Sequence, residues 1–377
     1  MSKIGLGTRR FLDEGFVFVS EEKAASMVQN TAYPNDLVFT QRGTIGQVAW
    51  IPKDAKYPKY ILSQNQMKLT PDVKKADVGY LCYYFLSPLA QEIIAQNSIG
   101  STIPGFNLTQ LRNFSVPLPP LPTQQRIAQV LGRLDDKIEV NRRINRTLEA
   151  MAQALYKHWF VDFGPFQDGP FVESELGSIP RGWEVVPLKF FVEIDVTSTK
   201  PQENPNEMFN HYSIPALDEQ SYPVQDRGAE VKSNKYAIMS DRILVSKLNP
   251  RIYRIWTVYH QNNFRSFSST EFINYVCQYP LTWSFMNCYF RSDEFISKFR
   301  SRVTGTTGSR QRVKPTDTLS FLCIKPSDDV LQKFEKIVSP YFERMHHNVE
   351  ENRKLAEIRD YLLPKLLSGE IEVSDSA

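Results

Sequence analysis

Residues 119–163 constrain this chain more than any other stretch. A proline run at Pro117, Pro119, Pro120 and Pro122 ends whatever precedes it, because proline lacks a backbone donor and holds the residue before it extended. Thr123 then reads as an N-cap, with Gln124 and Gln125 in the first turn. About 38 residues without proline follow. Leu131, Ile138, Ala152 and Trp159 recur at seven-residue steps, with Asn145 in the same series. Leu134, Leu148 and Leu155 form a companion series, with Asn141 between them. Two interleaved heptad series mark a long helix that pairs with another helix. At 1.5 Å per residue it spans roughly 57 Å.

The partner lies in the same chain. Adding 207 to each number lands on residues 327–367. Leu131 maps to Val338, Leu134 to Tyr341, Ile138 to Met345, Leu148 to Leu355 and Leu155 to Leu362. Asn141 maps to Asn348 and Asn145 to Asn352. Buried asparagine costs stability but fixes register, since a slip leaves amides unpaired. These four asparagines are therefore the candidate register residues. Pro340 and Pro364 are expected to bend or shorten the second helix.

The repeat extends beyond the helices. In the first copy Asn35-Asp36 is a turn into the strand signal 37–40, and in the second Ser240-Asp241 leads into 243–246. Each then enters a polar loop, 41–46 or 247–251, and returns as a strand, 47–51 or 255–259. The stretches 63–69 and 269–275 follow, and then one helical stretch each, 80–96 and 282–302. Small-residue loops, 98–102 and 304–310, precede a last strand, 114–117 or 321–326, that runs into the long helix. Residues 164–183, rich in Gly, Pro and acids, read as a linker. Residues 183–212 have no counterpart in copy one, so its opening strands, about 35 residues by this alignment, are expected to be missing.

The 377 residues suffice for two domains, and 41% apolar with 23% charged residues is ordinary for a globular protein. No apolar run approaches the ~20 residues of a membrane span, and no signal peptide is apparent. Cys82, Cys277, Cys288 and Cys323 are scattered without a CxxC pair, which argues against a metal site or a disulfide framework and makes a reducing cytoplasm the default. A net charge of +3 permits nucleic-acid binding without demanding it.

Catalytic readings fail. There is no glycine fingerprint after a strand, no GK[ST] phosphate loop and no Asp/Asn-Pro-Pro-aromatic tetrapeptide. His346 and His347 lie about 100° apart on a helix and do not converge on a metal. Asp135 and Asp136 oppose Arg133 and Lys137, as in a solvated or partner-facing charge cluster. Trp159 and Phe160 read as core packing in preference to a docking patch.

The chain resembles the DNA-specificity subunit of a type I restriction–modification system. The resemblance rests on PLPPLPTQQRIA at 117–128, LDDKI at 134–138, NRTLEAMA at 145–152, WFVDF at 159–163 and LPKLLSGEI at 363–371, with a looser likeness in FTQRGTIG at 39–46. It implies an α+β fold: two β-rich α/β target-recognition domains separated by two long helices packed as an antiparallel coiled coil, with pseudo-two-fold symmetry. The expected parts are a first recognition domain at 1–117 with a shortened N-terminus, a central helix at 118–163, a second recognition domain at 164–325, a distal helix at 326–371 and a tail at 372–377. It also implies a non-catalytic subunit that reads a bipartite target on double-stranded DNA and docks two modification subunits together with a restriction subunit. The modification subunits would methylate adenine N6 with S-adenosylmethionine, so this chain itself needs no cofactor.

Base reading needs donors and acceptors on loops that fit the major groove. In copy one Thr40, Gln41, Arg42 and Thr44 have that chemistry, with Gln64, Asn65 and Gln66 as a second, amide-rich set. In copy two Lys247, Asn249 and Arg251 occupy the same place, with Thr270 nearby. Ser101, Thr102, Thr306, Thr307, Ser309, Arg310 and Arg312 suit phosphates. The competing reading is a protein–protein adaptor whose coiled coil is a spacer without DNA specificity.

Overall fold

The computed structural model describes residues 11, 13, 15–42, 45–97, 105–260, 263–305 and 311–373. The chain forms two compact units, residues 1–140 with 351–377, and residues 141–350. Two long helices, α5 (Leu121–Phe160) and α10 (Asp328–Ser368), contribute a segment to each unit.

The first unit opens with α1 (Glu21–Ala25), β1 (Thr31–Ala32), β2 (Leu37–Thr40), β3 (Val48–Trp50), β4 (Tyr60–Ile61) and β5 (Gln66–Leu69). Helices α2 (Val78–Leu86), α3 (Pro88–Gln96) and α4 (Leu108–Arg112) follow. The helical stretch expected over 80–96 is two helices. Asp77 caps α2, and Ser87 both ends it and caps α3, whose first residue is Pro88. Strand order is β3-β2-β5, with β1 and β4 paired separately. Leu37, Phe39, Val48 and Met67 pack on Tyr80, Leu81 and Phe85.

That core continues into Ile127 and Leu131 of α5 and Leu363 and Leu366 of α10. The two helix segments run antiparallel here, since Lys137 pairs with Glu351 and Asp135 with Arg359. Thr123 is not the N-cap expected of it, because α5 begins at Leu121. The adjacent Gln124 fastens the first turn instead. It is 1% exposed, donates to the carbonyls of Lys75 and Pro119, and accepts from the Asp77 N–H.

The second unit contains β6 (Phe171–Ser174), β7 (Gly177–Pro180), β8 (Glu184–Pro187), β9 (Val192–Ile194), β10 (Ser198–Thr199), β11 (Met208–Tyr212), α6 (Ile214–Glu219), β12 (Val224–Arg227) and β13 (Lys235–Ile238). Next come β14 (Arg242–Ser246), β15 (Ile255–Val258), β16 (Arg265–Ser268), β17 (Phe272–Cys277), α7 (Trp283–Tyr289) and α8 (Asp293–Ser301). It closes with β18 (Val303–Thr304), β19 (Arg312–Val313), α9 (Pro315–Thr318) and β20 (Leu322–Lys325). Residues 164–183 are not a bare linker. They hold the β6–β7 hairpin, and Ile179 and Trp183 are buried in the main core. Phe160 also lies in that core, packed on Phe334, Phe285 and Trp183 with half-buried Trp159 beside it, so this aromatic pair packs.

The helix segments run antiparallel in this unit as well. Phe160 meets Phe334, while Asn348 Nδ2 donates to Asn145 Oδ1 at 2.7 Å and Asn145 Nδ2 to the Met345 carbonyl at 3.1 Å. Asn141 and Asn348 are fully buried. Helix α10 is continuous through Pro340 and Pro364, so neither proline shortens it there. Both prolines are exposed, so the carbonyls they leave unbonded face water, while Phe334, Val338, Phe342, Leu363 and Leu366 hold the apolar side.

The copies superimpose residue by residue in their pairing. Thr31↔Ile61 and Ala32↔Tyr60 become Ala237↔Phe267 and Ile238↔Ser266, a shift of 206 on both strands. Leu37↔Leu69 becomes Ile243↔Tyr275 by the same shift. Leu37↔Trp50 becomes Ile243↔Thr257, so one residue has been inserted before β15. In copy two β9 adds to β17, and β8 pairs with β20. No described strand takes those places in copy one, and the strand expected at 114–117 does not form. A strand needs a ladder partner, and among the described residues of copy one none takes the place of β8.

Asp135 is not in a solvated cluster. Its side chain is 10% exposed, and it accepts from Arg359 at 2.8 Å and from the Tyr83 hydroxyl at 2.6 Å. Removing one partner of such a pair strands a buried charge, at about 3–5 kcal/mol. Arg359→Ala should therefore lower the unfolding free energy measured by chemical denaturation by that order. A triple replacement of Asp135, Arg359 and Tyr83 by Leu, Met and Phe should cost clearly less than the single change.

Candidate nucleic-acid interface

The two polar loops sit at equivalent places, each stitched to two other segments by its backbone. In copy one the Gln41 N–H donates to the Asn65 carbonyl at 2.6 Å, and the Phe106 N–H donates to the Gln41 carbonyl at 3.0 Å. In copy two the Lys247 N–H donates to the Glu271 carbonyl at 2.9 Å, and the Val313 N–H to the Lys247 carbonyl at 3.2 Å. Arg42 bridges Gly105 in one copy, and Leu248 bridges Arg312 in the other, both antiparallel. The loop bases close alike, Thr40 N–H to the Gln47 carbonyl and Ser246 N–H to the Arg254 carbonyl, both at 3.0 Å. Each copy thus gathers three chain segments, far apart in sequence, at the end of one strand.

The loops are also tied to the helices behind them. Gln91 Nε2 donates to the Gly46 carbonyl at 2.8 Å and to the Phe85 carbonyl at 2.6 Å. In copy two the Tyr253 hydroxyl donates to the Phe290 carbonyl, and Arg300 donates to the carbonyls of Pro250 and Arg251. Asn249 takes a left-handed backbone, φ +48°, with its N–H on the Gln311 carbonyl, a conformation asparagine accepts more readily than most residues.

The side chains differ between copies. In copy one Arg42, Gln64 and Asn65 are exposed, and Thr40 and Gln41 are half-buried. Gln66 is half-buried and partly spent within its own turn, accepting from the Ser63 N–H and hydroxyl. Thr40 donates to Gln47 Oε1 at 3.2 Å. In copy two Arg251 is exposed, while Lys247, Asn249, Thr270 and Arg312 are half-buried. Arg42, Lys247 and Arg251 form no ion pair with any described residue. Arg312 meets Glu271 through two hydrogen bonds of 3.0 Å, Nε to Oε2 and Nη2 to Oε1. Those bonds and the carboxylate charge raise the Arg312 pKa above its ordinary value. Thr44, Ser101, Thr102, Thr306, Thr307, Ser309 and Arg310 lie outside the described residues.

Sequence reading missed Glu271, because nothing local links it to an arginine 41 residues onward. It also passed over Lys53, Lys56 and Lys59, three exposed cations without an ion pair to any described residue. That signal was present in PKDAKYPKY at 52–60. The two histidines of α10 do not converge: half-buried His346 lies against the Tyr259 ring, and burial lowers its pKa. Among the described residues no group of three His, Cys, Asp or Glu side chains could hold a metal ion, and no helix is long and apolar enough to cross a membrane.

Residues 23–150 match the model of the type I restriction modification DNA specificity domain. The chain is 29% identical to the type I restriction enzyme MjaIX specificity subunit of Methanocaldococcus jannaschii, over 94% of this chain and 82% of that one. It is 26% identical to the type I restriction enzyme HindI specificity subunit of Haemophilus influenzae, over 89% and 86%. A crystal structure of the S subunit of a type I restriction-modification system from M. genitalium aligns with a TM-score of 0.47 and 18% identity, covering 89% of this chain and 83% of that one.

Gly46 tests how firmly the first loop is held. Its φ is +83°, and an added Cβ would collide with the Gln91 carboxamide that secures the loop. Gly46→Ala should cost about 1–2 kcal/mol through the left-handed backbone alone. Thermal unfolding should show a smaller further loss when Gln91→Ala is added, because the collision then disappears.

Proposed function

We propose that this chain, which belongs to the type I restriction–modification specificity-subunit family, reads a DNA target in two parts and holds methyltransferase subunits on it. It is a DNA-binding, non-catalytic component. One observation carries the reading of the target. Two copies of a single backbone junction, matched hydrogen bond for hydrogen bond, carry different side chains. A constant scaffold with a variable polar surface is what two different half-sequences require.

In this reading Thr40, Gln41, Arg42, Gln64, Asn65 and Gln66 meet one half of the target, with Thr44, Ser101 and Thr102. Lys247, Asn249, Arg251, Thr270 and Arg312 meet the other, with Thr306, Thr307, Ser309 and Arg310. Amides suit adenine, arginine and lysine suit guanine, and the hydroxyls and loop cations suit phosphates. Asn141, Asn145, Asn348 and Asn352 set the register of the helix pair. Any slip along the seam would bury unpaired amides, and the Asn145–Asn348 hydrogen bond supports that role. The chemistry belongs to partner methyltransferase subunits, which would bring S-adenosylmethionine and methylate adenine N6, and a restriction subunit would join them.

Exchanging residues 165–325 for the matching domain of a relative should change one half of the methylated sequence and leave the other intact. Mapping methylated adenines in a host carrying the hybrid and its methyltransferase checks this. Change in both halves, or in neither, would refute the two-part reading. Duplex binding should also weaken steeply with salt, by about 10³-fold or more between 50 and 200 mM for six or more phosphate contacts. An adaptor for other proteins would lack that slope.

A further inference from the structure

The polar loop between β14 and β15 carries an isoleucine at its turn. Ile252 is 53% exposed and joins none of the apolar clusters among the described residues of the second unit. Its counterpart is Ile45, 207 residues earlier, the shift that relates β3 to β15. Ile45 is half-buried and packs on the core of the first unit. The same residue type at the same place is therefore spent on packing in one copy and left uncovered in the other.

A lone exposed apolar side chain needs no explanation by itself. What sets Ile252 apart is the backbone beneath it, which is pinned on both sides. The Ile252 N–H donates to the carbonyl of Asn249, the residue in the left-handed conformation, at 3.0 Å. Arg300 Nη2 donates to the Arg251 carbonyl at 3.3 Å, and the Tyr253 hydroxyl donates to the Phe290 carbonyl. Arg254 closes the loop on Asp218 with two bonds, of 2.7 and 2.8 Å. Isoleucine is branched at Cβ and has few rotamers to lose. An aliphatic group is thus held at the tip of a loop whose course is set before anything binds.

We propose that Ile252 reads a thymine in the second half of the target by packing on its C5-methyl group. The proposal rests on the DNA-reading function above and adds to it a residue, a base and an atom. An aliphatic side chain neither donates nor accepts a hydrogen bond. Of the groups that base pairs expose in the major groove, only the thymine methyl is apolar, so it is the one base feature such a side chain distinguishes. The preceding residue supplies what isoleucine lacks. Arg251 is exposed, and its guanidinium makes no hydrogen bond or ion pair with any described residue. A cation beside the apolar contact gives the loop a hold on the phosphate backbone next to the methyl it packs on. The loop's fixed course lowers the ordering cost of that contact.

The test uses the full chain assembled with its methyltransferase subunits and a duplex library randomised over the target. Ile252→Ala should erase preference for thymine at one position, in one half of the target, and leave the other positions unchanged. Replacing that thymine by deoxyuridine, which lacks only the methyl group, should weaken binding to the parent by about three- to tenfold, the worth of one buried methyl. The Ile252→Ala complex should be indifferent to the same replacement. Ile252→Val, shorter by one carbon yet still branched, should keep the preference at reduced strength. A thermal midpoint within a degree or two of the parent would show that Ile252→Ala leaves the fold intact. Ile45→Ala should instead lower the midpoint without altering base preference. A parent complex that binds thymine and deoxyuridine duplexes alike overturns the proposal, as does an Ile252→Ala complex that keeps its preference. Equal weakening of Ile252→Ala on every duplex would make the residue a non-specific wedge and overturn it too. A parent complex with no preference for any duplex would instead fail at the underlying function.

Discussion

A single residue in each copy, Gln41 or Lys247, has both its backbone groups committed to other segments of the chain. Its N–H is satisfied by the 65 or 271 carbonyl and its C=O by the 106 or 313 N–H. Half-buried backbone groups must find partners, and these partners are supplied by two loops that would otherwise wander independently. The commitment is made entirely by main-chain atoms. Side chains at the junction are thereby released from structural duty, and Gln can stand where Lys stands, or Asn where Glu stands, without altering the frame. Variation of chemistry on a constant backbone follows from that one arrangement.

The same reasoning explains where the copies diverge inside. Position 36 of copy one and position 242 of copy two are equivalent, and both are buried charges, at 2% and 3% exposure, but of opposite sign. Asp36 accepts from the Tyr33 N–H, the Thr70 hydroxyl and Lys68, all within copy one. Arg242 reaches Asp195 at 2.7 Å, just past β9, the strand that has no described counterpart in copy one. A buried charge needs a partner, so each sign goes with the partner available. Thr70 and Pro71 in copy one correspond to Val276 and Cys277 in copy two, which pair with β9. Proline there has no N–H to donate, which suits an edge without a neighbour.

Much of this was legible in the sequence. The seven-residue series predicted both long helices, and the shift of 207 predicted that copy one would be built again in copy two. Periodicity reports which face is buried, and each helix contributes apolar residues to the core of each unit. The errors fall where a residue's fate depends on something distant. Asp135 looked like part of a local charge cluster because its neighbours are Arg133 and Lys137, yet its partner is Arg359. Residues 164–183 looked like a linker from composition, yet Phe166 and Trp183 pack edge to face, ring centroids 4.9 Å apart, and carry the hairpin into the core. From propensity Pro340 and Pro364 looked like places where the helix would bend or shorten, but it stays continuous through both, since tertiary packing outweighs propensity where the lost bond faces water. Of the proposed reading residues, the loops could be located by their polar composition. The pairing of Glu271 with Arg312 could not.

That last pair bears on how such a surface works. A loop that orders only on contact with DNA loses affinity to the ordering, at roughly 0.5–1.5 kcal/mol per flexible side chain. Here much of the ordering is complete beforehand. Gln91 holds the first loop by Gly46, Tyr253 and Arg300 hold the second, and Glu271 holds Arg312. These ties come from helices and strands behind the loops, so they survive substitution of the exposed residues in front. Rigid support with exchangeable tips allows a new sequence preference to arise from one or two side-chain changes at little cost in stability. The bridges show how far this tolerance extends, since Arg42 faces Gly105 in one copy and Leu248 faces Arg312 in the other on the same backbone pairing.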